Sequence, residues 1–290
     1  MATVAQWIEG ARPRTLPNAI APVLVGAGAA LGVGEFPWWQ AALAQAVALA
    51  LIIGVNFAND YSDGIRGTDD QRVGPLRLVG SGLVRPKKVL LAALVCFALA
   101  AAAGLALVVV TGHWWLLGVG AVCIAAAWFY TGGKRPYGYA GLGEVAVFLF
   151  FGPVAVLGTL YVLTGQFTGS AVGAAVGVGT FSAAVLVANN LRDIPTDTAS
   201  GKRTLAVMLG DRDTRTLYTA LVVVPFLFTT LLGLRKPLAL LGFLGAVLVL
   251  PALRRVLRGA TGRRLIPVLR DTGLAMLVWS AATAAALALD

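Results

Sequence analysis

Apolar runs of about 17–25 residues recur from one end of this chain to the other, each long enough to cross a roughly 30 Å hydrocarbon core as a helix. A chain of this kind has few options. In lipid every backbone amide needs an internal partner, so only helices and closed barrels span the bilayer. Barrel strands alternate in polarity over about 10 residues, whereas these runs are continuously apolar. The sequence therefore predicts an all-α polytopic membrane bundle of about nine transmembrane helices. The expected spans are Leu16–Leu31, Gln40–Phe57, Val89–Val110, Trp115–Tyr130, Gly143–Val162, Ala171–Asn189, Thr216–Leu234, Leu238–Leu253 and Arg270–Leu289. Composition agrees, with a mean hydropathy of +0.83 and only 12% charged residues. Residues 1–290 read as a single integral-membrane domain.

The formal net charge of +10 raises nucleic-acid binding, but the distribution of charge speaks against it. Of 23 Lys and Arg residues, 21 fall on one side of the membrane in this topology, and only Arg235 and Lys236 on the other. That is the positive-inside pattern, and it places the N-terminus in the cytoplasm. The first apolar run follows Arg12 and Arg14 and contains Pro17 and Pro22, unlike a cleaved signal. Residues 1–12 are expected to lie at the cytoplasmic interface, with Val4, Trp7 and Ile8 at helical spacing. Cys96 and Cys123 have no CxxC partner, and His113 stands beside two tryptophans in an outside turn, so none of the three points to a metal or disulfide. The Ala-, Gly- and Arg-rich composition suggests a bacterium of high genomic GC content, and the expected location is its inner membrane.

Two connections on the cytoplasmic side are long, residues 58–88 and 190–215, and they carry eight of the 13 acidic residues. They also repeat each other. Asn56-x-x-x-Asp60 ends the second span and Asn189-x-x-x-Asp193 the sixth, followed by Asp63 and Asp197. This recurrence suggests two parallel four-helix units with a ninth helix added. If the second span continues as a helix, Asn56, Asp60 and Asp63 share one face at i, i+4 and i+7. Asn189, Asp193 and Asp197 follow at i, i+4 and i+8, across Pro195. Such hard oxygen donors suit Mg²⁺, which takes one or two carboxylates and shares its other sites with water and phosphate. Arg77, Lys202 and Arg203 stand in the same two connections as a grip for phosphate.

These segments resemble the UbiA-type intramembrane aromatic prenyltransferases over most of the chain. The residues that carry the resemblance are RPRTLPNAIAPVLVG (12–26), NFANDYSDGIRGTD (56–69), GPLRLVGSGLV (74–84), YTGGKRPYGYAGLGE (130–144) and NNLRDIPTDTASGKRTLAVMLG (189–210). Within the superfamily they look most like the branch that prenylates 1,4-dihydroxy-2-naphthoate in menaquinone synthesis. Many members carry a third Asp in the first motif where this chain has Gly67. The second motif lacks the Tyr-Ala-Met-x-Asp-Arg run of hydroxybenzoate enzymes, and the first connection lacks the Arg-Pro-Ile-Pro run of chlorophyll synthases.

The resemblance implies two substrates, a polyprenyl diphosphate and 1,4-dihydroxy-2-naphthoate, joined with loss of carbon dioxide. It implies Mg²⁺ at Asp60, Asp63, Asp193 and Asp197, assisted by Asn56 and Asn189, with Arg77, Lys202 and Arg203 on the diphosphate. Tyr130, Tyr137 and Tyr139 are expected to shield an allylic cation or bind the acceptor, and Asn190 and Arg192 to serve the acceptor's carboxylate. Glu144, at the start of the fifth span, needs a partner such as Lys134 or Arg135. Two further readings stay open: a related enzyme with a hydroxybenzoate or homogentisate acceptor, and an ion-coupled carrier. Carriers keep their polar groups near the bilayer midplane, whereas here they gather at one face.

Overall fold

The computed structural model describes residues 2–68 and 76–289, so Asp69 and Asp70 lie outside the described residues. The elements in chain order are α1 (Val4–Gly10), α2 (Pro17–Gly32), α3 (Trp38–Ile65), α4 (Pro86–Thr111), α5 (Leu116–Phe129), α6 (Gly143–Leu149), α7 (Ala155–Thr164), α8 (Gly169–Ala199), α9 (Leu205–Gly233), α10 (Leu244–Leu257) and α11 (Ile266–Ala288). The chain is a multi-pass membrane protein. Among the described residues, seven helical segments are long and apolar enough to cross a bilayer, and α1 with α2, bent by 51°, brings the number to at most eight. Each of the nine expected spans coincides with a helix, but α5, with 14 residues, extends only about 21 Å and stops short of a full crossing.

Consecutive helices pack in the same sequence twice. α2 lies on α3, α3 on α4 and α4 on α5; then α7 lies on α8, α8 on α9 and α9 on α10. α11 seats against α2, α8 and α10. This is the expected arrangement of two four-helix units plus one. Lipid tails are as apolar as leucine, so helices in a bilayer associate through close packing of small residues. α8 supplies that surface. Most of its apolar stretch is buried, and Gly177 admits the ring of Trp279 from α11. Between α6 and α7 a π-turn, Phe150–Val154, surrounds Pro153, which has no N–H to continue the α-helical ladder.

The ends expected to face the cytoplasm differ from the expected long loops. α3 continues to Ile65, and α8 runs through Pro195 to Ala199. Most of residues 190–215 is therefore helical rather than loop, with only residues 200–204 between α8 and α9. With 28 and 31 residues, α3 and α8 extend about 42 and 46 Å, beyond the hydrocarbon, and carry their acidic ends past it. α1 forms where expected, capped by reciprocal bonds between Thr3 and Gln6. Its Trp7 meets Phe57 of α3 edge-on. Phe57 belongs to a cluster with Leu78, Val84, Val89 and Phe97, which fastens the segment after residue 76 onto α3 and α4.

Candidate active site

A cavity of about 620 Å³ lies inside the bundle, with Asp63, Asp197, Arg77 and Lys202 at its polar end and largely aliphatic walls from α3, α4, α5 and α7. The two acidic motifs meet here, but they divide their residues in the same unexpected way. In each, the first Asn and the last Asp line the cavity, as Asn56 with Asp63 and Asn189 with Asp197. The middle Asp of each does not line it.

Asp60 instead receives the backbone N–H groups of Leu78 at 2.7 Å and Val79 at 3.1 Å. That contact depends on Gly64, one turn along α3. A Cβ there would come within 2.4 Å of the Val79 side chain and would lift the crossing segment away. Asp60 thus anchors the segment that carries Arg77. Asp193 is gripped by the guanidinium fork of its neighbour Arg192, with Nε at 2.6 Å and Nη2 at 2.7 Å from its two oxygens. Arg192 Nη2 also donates to Asn189 Oδ1 at 2.8 Å. Arg192 is buried and does not line the cavity, and its guanidinium is occupied by Asp193 and Asn189.

Asp63 is the centre of the polar end. It is 3% exposed. Arg77 Nη2 lies 3.6 Å from Oδ2 and Lys202 Nζ 3.5 Å from Oδ1, and the Tyr139 hydroxyl donates to Oδ1. Lys202 arrives there through the end of α8. Gly201 takes a left-handed turn at φ 74°, so its N–H bonds Thr198 O at 3.2 Å and that of Lys202 bonds Asp197 O at 2.9 Å. This is a Schellman ending, and it throws Lys202 back towards the cavity. Arg203, next in sequence, is exposed and absent from the cavity wall, and its backbone N–H ties to Tyr139 O at 3.0 Å. Of the three cations expected to grip phosphate, Arg77 and Lys202 line the cavity and Arg203 does not.

The three tyrosines reach the cavity but differ in what they face. The ring of Tyr139 is already covered by cations, Lys202 Nζ at 4.7 Å and the Arg66 guanidinium at 5.6 Å from its centroid. Burial and the adjacent Asp63 carboxylate both push its phenol upward, so it remains a neutral donor. Tyr137 donates to Ala126 O at 2.8 Å and meets Tyr130 edge-on at 5.5 Å. Burial pushes the Tyr137 phenol up to about 12. Asn190 lines the cavity and donates to Glu144 Oε1 at 2.8 Å, so the partner of Glu144 is Asn190 and not the exposed Lys134 or Arg135.

Four polar residues were not singled out from sequence. Asn59 lines the cavity and accepts from Thr131 Oγ1 at 2.7 Å. Arg66 donates to the carbonyls of Thr131 and Gly133 and so fixes the turn that carries Tyr137 and Tyr139. Arg12 and Asn18 reach the cavity from the α1–α2 corner. The only sequence signal for these two was their place in the 12–26 segment.

Among the described residues no three His, Cys, Asp or Glu side chains gather as a ready-made metal site. The carboxylate and amide oxygens among the cavity-lining residues are those of Asp63, Asp197 and the asparagines. One or two carboxylates with amide oxygens fit a Mg²⁺ that arrives with phosphate oxygens of its own, not a caged resident ion. The donors present thus suit a magnesium–diphosphate pair.

A family model described as the UbiA prenyltransferase family matches residues 19–281. A 1,4-dihydroxy-2-naphthoate octaprenyltransferase of Mycobacterium tuberculosis is 60% identical over 288 residues, covering 99% of this chain and 98% of the relative. A UbiA homologue from Aeropyrum pernix superposes with a TM-score of 0.71 at 16% identity, over 97% of this chain and 98% of that one. A UbiA homologue from Archaeoglobus fulgidus, bound to DMAPP and Mg²⁺, superposes with a TM-score of 0.63 at 14% identity, over 98% of this chain and 100% of that one.

Proposed function

The chain belongs to the UbiA prenyltransferase family, and we propose that it transfers a polyprenyl group from polyprenyl diphosphate to 1,4-dihydroxy-2-naphthoate, with decarboxylation, to give demethylmenaquinol. The observation that carries this reading is the joining of a buried, cation-flanked carboxylate to an apolar cavity of about 620 Å³. A prenyl diphosphate has the same two parts, a strongly anionic head and a long apolar tail.

The head belongs at Asp63, Asp197, Arg77 and Lys202. Asp63 and Asp197, with the oxygen of Asn59, would hold Mg²⁺ there. The chemistry that the ion supplies is neutralisation of charge on the diphosphate oxygens. Arg77 and Lys202 add fixed positive charge beside them, in place before charge develops on the leaving group. Asp60 and Asp193 act by positioning: one holds the Arg77 segment and the other holds Arg192 and Asn189. The aliphatic walls exclude water, which would quench an allylic cation. Tyr130 and Tyr137 present rings to that cation. Tyr139 steadies Asp63 and Lys202 instead. The positive-inside pattern puts this end in the cytoplasm of a bacterial cell.

The test is direct assay of the purified chain in lipid nanodiscs with Mg²⁺, a polyprenyl diphosphate and each of three acceptors. Transfer to 1,4-dihydroxy-2-naphthoate should be silenced by EDTA and restored by Mg²⁺. Preferred transfer to 4-hydroxybenzoate or homogentisate would move the acceptor assignment. Absence of transfer to any of the three would overturn the enzyme reading.

A further inference from the structure

We infer that the α1–α2 corner is the acceptor subsite, in which Arg12 receives the carboxylate of the aromatic acid and Asn18 receives a ring hydroxyl. The inference rests on the acceptor reading above and adds the residues that recognise it.

The first observation is backbone conformation. Arg12 adopts φ 56°, ψ 69° and is the one non-glycine residue with positive φ among the described residues. That region is sparsely used by side chains other than Asn and Asp, and it persists only where the surroundings over-determine it. Here they do. The Arg12 N–H bonds Glu9 O at 3.0 Å, and Arg12 O accepts from both the N–H and the hydroxyl of Thr15, each at 2.9 Å. From α3, Asn56 Nδ2 donates to Ala11 O at 3.0 Å and to Thr15 Oγ1 at 2.9 Å. The first Asn of the acidic motif therefore grips the corner on either side of Arg12.

The second observation is what the corner presents. Arg12 Nη2 is buried with no hydrogen-bond partner among the described residues. Asn18 is 8% exposed, and its Oδ1 likewise has none. Both residues line the cavity. A buried polar atom without a partner is costly, and nearly all such atoms in native proteins find one. One vacant donor is cationic and forked, suited to a carboxylate. The other vacancy is an acceptor, suited to a hydroxyl. A hydroxylated aromatic carboxylate carries both complements on one ring. A diphosphate does not, since its oxygens would face the carbonyl of Asn18.

Placement separates this corner from the diphosphate end. Asn56, which grips it, lies seven residues before Asp63 on α3, about 10 Å along the helix axis. That spacing leaves room for a bicyclic ring between the two.

The test uses the full chain in nanodiscs and calorimetric titration with 1-hydroxy-2-naphthoate and with 1-naphthol, which lacks the carboxylate. Wild type should bind the acid at least tenfold more tightly. Arg12→Gln should lose about ten- to a hundredfold in affinity for the acid, leaving 1-naphthol and the KM for polyprenyl diphosphate unchanged. Arg12→Lys should retain an intermediate preference. Asn18→Leu should weaken 1-hydroxy-2-naphthoate but not 2-naphthoate, which has no hydroxyl. Equal binding of acid and naphthol by wild type would overturn the inference without any variant. So would an undiminished preference in Arg12→Gln, or a rise in the KM for the prenyl diphosphate alone. Active wild type with an unaffected Arg12→Gln sinks this subsite only; inactive wild type sinks the enzyme reading instead.

Discussion

The ammonium of Lys202 stands 3.5 Å from a carboxylate oxygen of Asp63, longer than a tight charge-assisted hydrogen bond. Arg77 stands off the other oxygen by a similar 3.6 Å. Two cations thus flank one carboxylate without closing on it, an arrangement that can admit a bridging anion with its metal. Lys202→Gln should lower kcat/KM for polyprenyl diphosphate roughly ten- to a hundredfold, the worth of one charge-assisted contact. The KM for 1,4-dihydroxy-2-naphthoate should hardly change. Steady-state kinetics with each substrate varied in turn checks this, and a silent Lys202→Gln would remove the residue from the site.

The two acids of the first motif should behave differently. Asp63→Asn removes the cavity-facing carboxylate, so turnover should fall below detection while the protein still inserts. Asp60→Asn instead weakens the hold on Leu78 and Val79, so it should cost about 1–3 kcal/mol of stability. Its loss of activity should come through Arg77. Combined with Arg77→Gln, the two losses should be strongly non-additive, because both act on one group. Additive losses in kcat/KM would show that Asp60 acts on its own.

Arg192 distinguishes a structural fork from an acceptor ligand. Arg192→Lys keeps the charge but cannot reach both oxygens of Asp193 and the Asn189 amide together. It should lower the midpoint of thermal unfolding in detergent and reduce kcat. The ratio of KM values for acid and non-acid acceptors should stay that of wild type. A selective rise in the KM for the acid would return Arg192 to the acceptor pocket.

Packing between α2 and α11 sets the frame. A Cβ on Gly28 would meet the backbone oxygen of Ala284 at 2.5 Å, which cannot move aside as a side chain does. Gly28→Val should therefore destabilise by about 1–3 kcal/mol, read as a lower unfolding midpoint and poorer yield. Gly118→Ala on α5, whose Cβ meets nothing within 4 Å, should unfold at the wild-type temperature.

The sequence by itself determined the class of fold, the two related units and the polar end. These follow from span length, the one-sided placement of Lys and Arg, and the recurrence of Asn-x-x-x-Asp, all of which are local or periodic signals. It also brought Asp63, Asp197, Arg77 and Lys202 into consideration, because the acids and cations of residues 58–88 and 190–215 stand together in the chain. What it left open was the direction in which each side chain points. Asp60 and Asp63 sit on one helix face three residues apart, yet only the packed structure shows that the first accepts the amides of Leu78 and Val79 while the second lines the cavity. Whether Arg192 folds onto Asp193 or reaches outward is likewise a choice between rotamers that spacing does not encode. Arg12 and Asn18 lie more than 35 residues before the first acidic motif, and their nearness to the cavity arises from the clasp of Asn56 on Ala11 and Thr15. Contacts between distant segments depend on close packing of the whole bundle, and so the partner of each polar group was decided in three dimensions.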